Sequence, residues 1–413
     1  MQPIWAVEMR VLMQGVSQGA CLPAGKGRGA LRAPVRAQAV KAQPSFKNVE
    51  TLGTTPSYGK QSGPLVIVEG GKERQMYRMK QEQFEVVESM NDFMEQDVMP
   101  LLLKTEEAWQ AQDYLPDPRS DTFMEEVAEL RKRAAPVDDE LLVVLVGDMI
   151  TEEALPTYMN MLNTLDATMD ETGRDMTPWA QWTRAWTAEE NRHGDLMNKF
   201  MWLTGKVDMK SIEFTIQNLI SAGMDPGTDK NPYLGYIYTS FQERATRISH
   251  GNTAQLAAKC GDKEMARMCR MIAGDEARHE KAYKKITQEL FRRDPDGTML
   301  AFDFMMARQI VMPAHLMDDT LYGPQLFEDY ALVAQKIGVY TAQDYADITK
   351  HLLEFWDIGS IKCTSPEAQE AQERLMGLGK RYDRLAGVAA KRMAKPQGRE
   401  LKFNWIDQRP ISV

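Results

Sequence analysis

The chain has 413 residues, 43% of them hydrophobic, and a formal net charge of −9. That acidity excludes a general nucleic-acid role, and no run of about 18 uninterrupted apolar residues is present to span a membrane. The four cysteines, Cys21, Cys260, Cys269 and Cys363, form no Cys-x-x-Cys pair, which argues against a disulfide framework and against a zinc or iron–sulfur site.

In chain order, residues 1–45 read as a removable organelle transit peptide. Between Arg10 and Lys47 lie Arg10, Lys26, Arg28, Arg32, Arg36, Lys41 and Lys47, and no acid. Small residues crowd Ala30 to Ala42, which places cleavage near Ala37 to Ala42. Residues 46–75 are rich in Gly, Pro, Ser and Thr and read as irregular. Residues 76–413 read as a single helical domain. Its first helical pattern runs from about Glu82 to Gln110, and the turn residues Asp113 to Pro118 follow it. A second runs from Ser120 to about Ala134, with Ser120 and Asp121 as cap candidates.

Pro136-Val137-Asp138-Asp139 opens the next helix, whose apolar face includes Leu142, Leu145, Met149 and Met159. Asp148, Glu152 and Glu153 interrupt that apolar run. Buried acids are costly unless they meet a cation, so Glu152 is a candidate metal ligand. Pro156 is expected to kink the helix or remove one hydrogen bond.

Two short runs stand out further on: Glu189-Glu190-Asn191-Arg192-His193 and Asp275-Glu276-Ala277-Arg278-His279. Each is an acid followed by Glu-x-Arg-His. Residues i and i+3 share a helix face, so each run presents a carboxylate and an imidazole together, half of a transition-metal site. The other histidines, His250, His315 and His351, have Arg247, Met312 and Ile348 at i−3. Thr177-Pro178 starts the first of these helices. Trp179, Trp182, Trp186, Glu190, His193 and Met197 then form one stripe, which puts the pair on a buried face. The tryptophans read as core packing. Residues 208–222 form another helix. A long one from about Tyr233 to Gly251 carries Glu243, with Thr246 one turn on. The second pair lies on a helix from about Asp262 to Arg292. Helical patterns continue through 299–310, 324–337 and 342–356. A charged surface helix spans Pro366 to Lys395, and an extended tail carries Phe403, Trp405 and Ile406. No convincing sheet is present, and the C-terminal third is assigned no chemistry.

The fold class is therefore all-α: a ferritin-like four-helix bundle over residues 139–293 with flanking helices. Its donors are Glu152, Glu190, His193, Glu243, Glu276 and His279, the set expected of a di-metal bundle. Four carboxylates neutralise two divalent cations, and oxygen with imidazole donors suits iron or manganese better than copper. Each imidazole needs an acceptor behind it. Asp275 is the candidate for His193, and Arg192 and Arg278 offset nearby acids. Such a centre can store iron, generate a radical or attack a C–H bond. The rival readings are a ferroxidase, a radical-generating subunit using Tyr158 or Tyr236, and a non-catalytic helical scaffold.

Four segments resemble the soluble plastid acyl-ACP desaturases: Val144 to Tyr158, Trp182 to Asp195, Tyr238 to Thr246 and Met312 to Met317. The resemblance runs from about residue 75 to the C-terminus. It implies a homodimer in the chloroplast stroma with two irons per subunit, held by the six donors named above. It implies O₂ as oxidant, reduced ferredoxin as electron donor, and acyl-acyl carrier protein as substrate, most often stearoyl, desaturated at Δ9. It assigns Thr246 to the O₂ site, and Trp109, Asp275 and His193 to an electron path. It assigns Met161, Thr164, Leu165, Pro226, Thr228, Gly235 and Tyr236 to the substrate pocket. At Tyr236 the expected residue is phenylalanine, and a buried hydroxyl wants a partner. Both protein partners are acidic, so docking calls for a local basic patch. Arg131, Lys132 and Arg133 are candidates for it.

Overall fold

Helices set the architecture, and two small hairpins close its ends. The computed structural model describes residues 66–69, 72–75, 77–319, 325–395 and 398–413. The expected transit peptide at 1–45 and the stretch 46–65 lie outside them. A hairpin of β1 (Val66–Glu69) and β2 (Lys72–Gln75) precedes α1 (Gln81–Glu88), α2 (Phe123–Ala134), α3 (Asp139–Glu153) and α4 (Leu155–Leu162). Then come α5 (Pro178–Thr204), α6 (Met209–Ala222), α7 (Pro232–Lys259) and α8 (Lys263–Arg293). Helices α9 (Pro295–Arg308), α10 (Leu326–Ile337), α11 (Ala342–Phe355) and α12 (Pro366–Met393) surround this core. A second hairpin, β3 (Glu400–Lys402) with β4 (Pro410–Ser412), ends the chain. Among the described residues, no helix is long and apolar enough to cross a membrane.

The central bundle is α3, α5, α7 and α8. Three of them, α5, α7 and α8, start where a side chain satisfies a free backbone N–H group. Thr177 Oγ1 accepts from Ala180 N–H at 3.2 Å, Asn231 Oδ1 from Tyr233 N–H at 2.9 Å, and Asp262 Oδ1 from Met265 N–H at 3.0 Å. Pro178 and Pro232 occupy the first helical positions, where no donor is lost. Every residue of α3 from Leu141 to Ile150 is buried, so that helix is apolar all round.

Several boundaries differ from expectation for local reasons. The pattern over 82–110 breaks after Glu88 into short turns, and the last of them, Met99–Leu101, carries Pro100, which supplies no donor to continue a helix. Ser120 and Asp121 do not cap α2. Ser120 Oγ instead accepts from Thr122 N–H in a turn, and the helix begins at Phe123. The expected kink at Pro156 is a full break at Ala154, with a new helix from Leu155. Helix α7 runs through Gly251 to Lys259, since one helical glycine costs only about 1 kcal/mol. The two hairpins correct the reading of no sheet and of an irregular 66–75. Strands this short show no period-two run in sequence. The C-terminal hairpin buries Leu401 and Ile411, and the segment between its strands buries Trp405 and Ile406. Trp405 Nε1–H donates to Thr215 Oγ1 at 3.0 Å, and Arg409 forks onto Asp139 at the start of α3 with two bonds of 2.9 Å.

The interior holds two apolar clusters, and three bundle helices cross from one to the other. Helix α5 gives Trp179, Trp182 and Trp186 to the first, and Leu196, Met197 and Phe200 to the second. Helix α8 divides likewise around Glu276 with His279, and α7 passes from the first cluster, which holds Phe241 and Ala245, to the second, which holds Ala254 and Ala257. The polar groups therefore sit at a seam between two greasy blocks.

Away from that seam, Glu280 clamps α7, α8 and α11. Its carboxylate accepts from Arg244 at 2.7 Å, Arg247 at 2.8 Å and Lys284 at 2.5 Å, and His351 lies 3.5 Å away. Burial would raise this carboxyl, but hydrogen bonds from His351, Lys284 and Arg247 hold it well below the usual range. A carboxyl depressed on folding stabilises above the unfolded glutamate pKa, and that share is lost as pH falls through the folded value. Glu280→Gln is expected to cost on the order of 2 kcal/mol at neutral pH, discounted for the half-exposed Arg247. The gap to wild type should narrow below about pH 4. Thermal melts of both proteins across pH check this.

Candidate metal centre

All six expected donors converge. Glu152 comes from α3, Glu190 and His193 from α5, Glu243 from α7, and Glu276 and His279 from α8. Two overlapping sets form: Glu152, Glu190, His193 and Glu276; and Glu190, Glu243, Glu276 and His279. Within each set the donor atoms lie within 4.8 Å of one another. Glu190 and Glu276 belong to both, as two carboxylates bridging a metal pair would. None of the six is more than 7% exposed.

Each imidazole is held from behind by the acid of the other run. His193 Nε2 lies 3.3 Å from Asp275 Oδ2, and His279 Nε2 lies 2.9 Å from Glu189 Oε2. A carboxylate can only accept, so each Nε2 carries the proton and each Nδ1 turns its lone pair inward. Those Nδ1 atoms, and Glu190 Oε1, are buried and make no hydrogen bond of acceptable geometry. His193 Nδ1 sits 3.2 Å from Glu190 and 3.3 Å from Glu276, and His279 Nδ1 sits 2.7 Å from Glu190. Orphaned inward lone pairs among carboxylate oxygens fit divalent cations.

Two guanidinium groups back this arrangement. Arg278 reaches Glu189 at 2.8 Å and Asp275 at 2.6 Å, and Arg192 reaches Asp275 at 3.3 Å. Trp109 Nε1–H donates to Asp275 Oδ2 at 2.9 Å, and its ring stacks on His193 with 6.1 Å between centroids. Trp109, Asp275 and His193 thus form one contact chain. Thr246 Oγ1 lies 2.6 Å from Glu276 Oε2.

A sequence model of the fatty acid desaturase family matches residues 82–407. The chain belongs to the fatty acid desaturase family. It is 55% identical over 338 residues to a chloroplastic stearoyl-acyl-carrier-protein 9-desaturase of Brassica napus, covering 82% of this chain and 84% of that one. It is 54% identical over 337 residues to the Simmondsia chinensis protein of the same name, with the same coverage of each chain. The Spinacia oleracea protein of that name is 53% identical over 337 residues, again covering 82% and 84%.

In this desaturase an open mouth of about 350 Å³ is lined by Met161, Thr164, Pro226 and Thr228, together with Pro156, Ile220 and Met224. It shares Met161 and Met224 with a smaller space of about 60 Å³ that touches Glu152, Glu190, Glu243, Glu276 and Thr246. Four of the seven expected pocket residues therefore line the mouth. Leu165, Gly235 and Tyr236 do not. They are buried in the packed interior, with Leu165 filling the notch that Gly235 leaves, where a Cβ would lie 2.6 Å from Leu165 Cδ1. Tyr236 stacks between Trp179 and Tyr283, and its hydroxyl, pushed up by burial, finds Thr168 as partner.

Three contributors escaped the sequence. Glu189 holds His279, and its place before Glu190 matches that of Asp275 before Glu276, so the repeat carried the signal. His250 Nε2 lies 2.8 Å from Glu152 Oε1. It was set aside for lacking a glutamate at i−3, yet it lies two turns beyond Glu243 on the same helix. Trp186, read as packing, donates Nε1–H to Glu243 Oε1 at 3.1 Å.

Taken alone, the six side chains crowd one another's charge. Burial pushes Glu243 and Glu276 up, and the Glu190 charge pushes them further. Burial would lower His279, but Glu190 lifts it to about 9. Any proton that these carboxyls, or an inward imidazole Nδ1, hold in the cation-free centre must be displaced by entering cations. Cation affinity should therefore rise with pH, about tenfold per pH unit for each proton released. Calorimetric titration with Mn²⁺ in buffers of different ionisation enthalpy checks both the release and its direction.

Proposed function

We propose that this desaturase inserts a cis double bond, at Δ9 of stearoyl-acyl carrier protein, using O₂ and electrons from reduced ferredoxin. It would do so as a homodimer in the chloroplast stroma, with two irons per chain. The observation that carries the reading is the pair of overlapping donor sets opening, through Met161 and Met224, onto the mouth. The names of the relatives support the substrate and the compartment. An iron store or a radical generator has no use for such a mouth.

Glu152, Glu190, His193, Glu243, Glu276 and His279 would hold the irons. When bound, the irons supply reductive activation of O₂ and removal of two hydrogens from neighbouring carbons. The chain's own residues do the rest. Asp275 and Glu189 fix both imidazoles in one tautomer. The mouth admits an apolar chain past Met161 and Met224, and the packed residues Leu165 and Tyr236 close the way beneath. Register along that path decides which carbons reach the metals, so one misplaced methylene moves the double bond. The Thr246 hydroxyl, beside Glu276, can hold a proton at the face of the centre that lines the inner space. Trp109 and Asp275 offer a route for electrons to His193.

The proposed docking patch is largely compensated. Arg131 donates to the Leu203 carbonyl, Lys132 lies 3.6 Å from Glu129, and Arg133 lies 3.9 Å from Asp262. A partner would have to compete with these contacts.

The test is product analysis by mass spectrometry across a series of acyl-acyl carrier protein lengths with a ferredoxin-reducing system. The stearoyl substrate should give the Δ9 monoene, with two irons per chain by metal analysis. O₂ consumption that does not depend on substrate would overturn the reading. His279→Ala and Glu243→Ala should each lower turnover by at least about 100-fold while the helical circular dichroism is kept. Wild-type turnover in either would remove the donor assignment.

A further inference from the structure

A third cavity lies beyond the carboxylates, on the side away from the mouth. It measures about 70 Å³ and shares Thr151, Glu152 and Thr246 with the inner space. The three spaces thus form a line: mouth, metal centre, rear cavity. Roughly 15–30 Å³ per molecule leaves the rear one room for a few waters.

Its lining sets the apolar Met312, Ala314, Phe327, Ala331 and Ala334 beside polar groups, two of which lack a protein partner. Asp148 is only 6% exposed. Its Oδ1 accepts from Ser249 Oγ at 3.2 Å and from the Tyr330 hydroxyl at 3.0 Å, while Oδ2 has no protein partner. The hydroxyl oxygen of Tyr340, which also lines the space, is buried and unpartnered as well. Leaving such a group dry is costly, a penalty that ordered water removes. Backbone choice serves the same arrangement. A Cβ at Gly147 would lie 2.0 Å from Tyr330 Cε2, so glycine there lets the tyrosine cross α3 and reach Asp148.

The two ends of the metal centre differ accordingly. Glu243 is met by the indole of Trp186, inside an aromatic group with Trp182 and Tyr283. Glu152 is met by His250, which lines the rear cavity. One end is dry and the other polar.

We propose that the rear cavity is a water site that serves the metal centre from behind, taking up the water formed at each turnover while the acyl chain fills the mouth. The proposal rests on the desaturase reading. In that reaction two C–H bonds and the O–O bond break, and one C=C π bond and four O–H bonds form. The substrate gives two electrons and two protons, the donor gives two electrons, solvent gives two protons, and two waters result. An apolar chain in the mouth leaves them no polar way out on that side.

The test pairs a high-resolution crystal structure of the iron-loaded protein with a filling variant, Ala334→Leu, at a lining position remote from the donors. Ordered waters should bridge Asp148 Oδ2 and the Tyr340 hydroxyl. In the variant they should be displaced, and kcat should fall about tenfold, as expected when product departure limits turnover, at unchanged KM for acyl-acyl carrier protein and unchanged iron content. A cavity that stays empty, or that fills with xenon under pressure, overturns the proposal. So does an Ala334→Leu enzyme with wild-type kcat. Should that variant fail to fold, the wild-type water positions still decide. If the wild-type enzyme desaturates and the cavity is dry, this inference alone fails. If it does not desaturate, the functional reading fails.

Discussion

The constraint on which everything else depends is the burial of four carboxylates. Glu152, Glu190, Glu243 and Glu276 are each at least 93% buried, in a seam between two apolar clusters. Desolvating an isolated carboxylate costs several kcal/mol even after relaxation. Only positive charge drawn in among them offsets that, and the inward lone pairs of two imidazoles mark where it belongs. The bundle can therefore be viewed as a dry container whose contents dictate its polarity.

Rigidity in this centre comes from a cross-over. The acid at the head of each Glu-x-Arg-His run holds the histidine of the other run, so α5 and α8 are each the frame for the other's ligand. Arg278 touches both of these acids and Arg192 touches one, and against burial the hydrogen bonds from His279 and His193, with the charge of Arg278 behind them, hold both carboxyls below the usual range. A shift of either helix would misalign both imidazoles at once. That coupling is served by long helices with side-chain N-terminal caps at Thr177 and Asp262.

Around the centre, three spaces meet. The mouth sets Met161, Met224 and Pro226 beside Asn160, Asp225 and Lys230, the inner space is bounded by carboxylates, and the rear cavity mixes hydroxyls with Met312, Phe327 and Ala334. The elements that shape these spaces lie far apart in sequence. Tyr330 reaches Asp148 on α3, and Tyr340 lines the rear cavity, both from the C-terminal third, a region to which no chemistry was assigned beforehand. The same third supplies the hairpin that pins α3 through Arg409 and Asp139.

The sequence by itself determined the helices, the six side chains that meet at the seam, the Asp275–His193 contact and the family. These are properties of local period: a stripe at i, i+3 and i+4 fixes which side chains share a face, whatever lies opposite. Glu189 was within reach by the same logic, since the repeat displays it. Only the tertiary structure decided that His250 and Trp186 bind Glu152 and Glu243, because those pairs lie 98 and 57 residues apart and no period links them. It alone also separated Met161 and Thr164 at the mouth from Leu165, Gly235 and Tyr236 in the packed floor. Which neighbour fills a notch depends on how helices meet across space, and a one-dimensional pattern does not contain that.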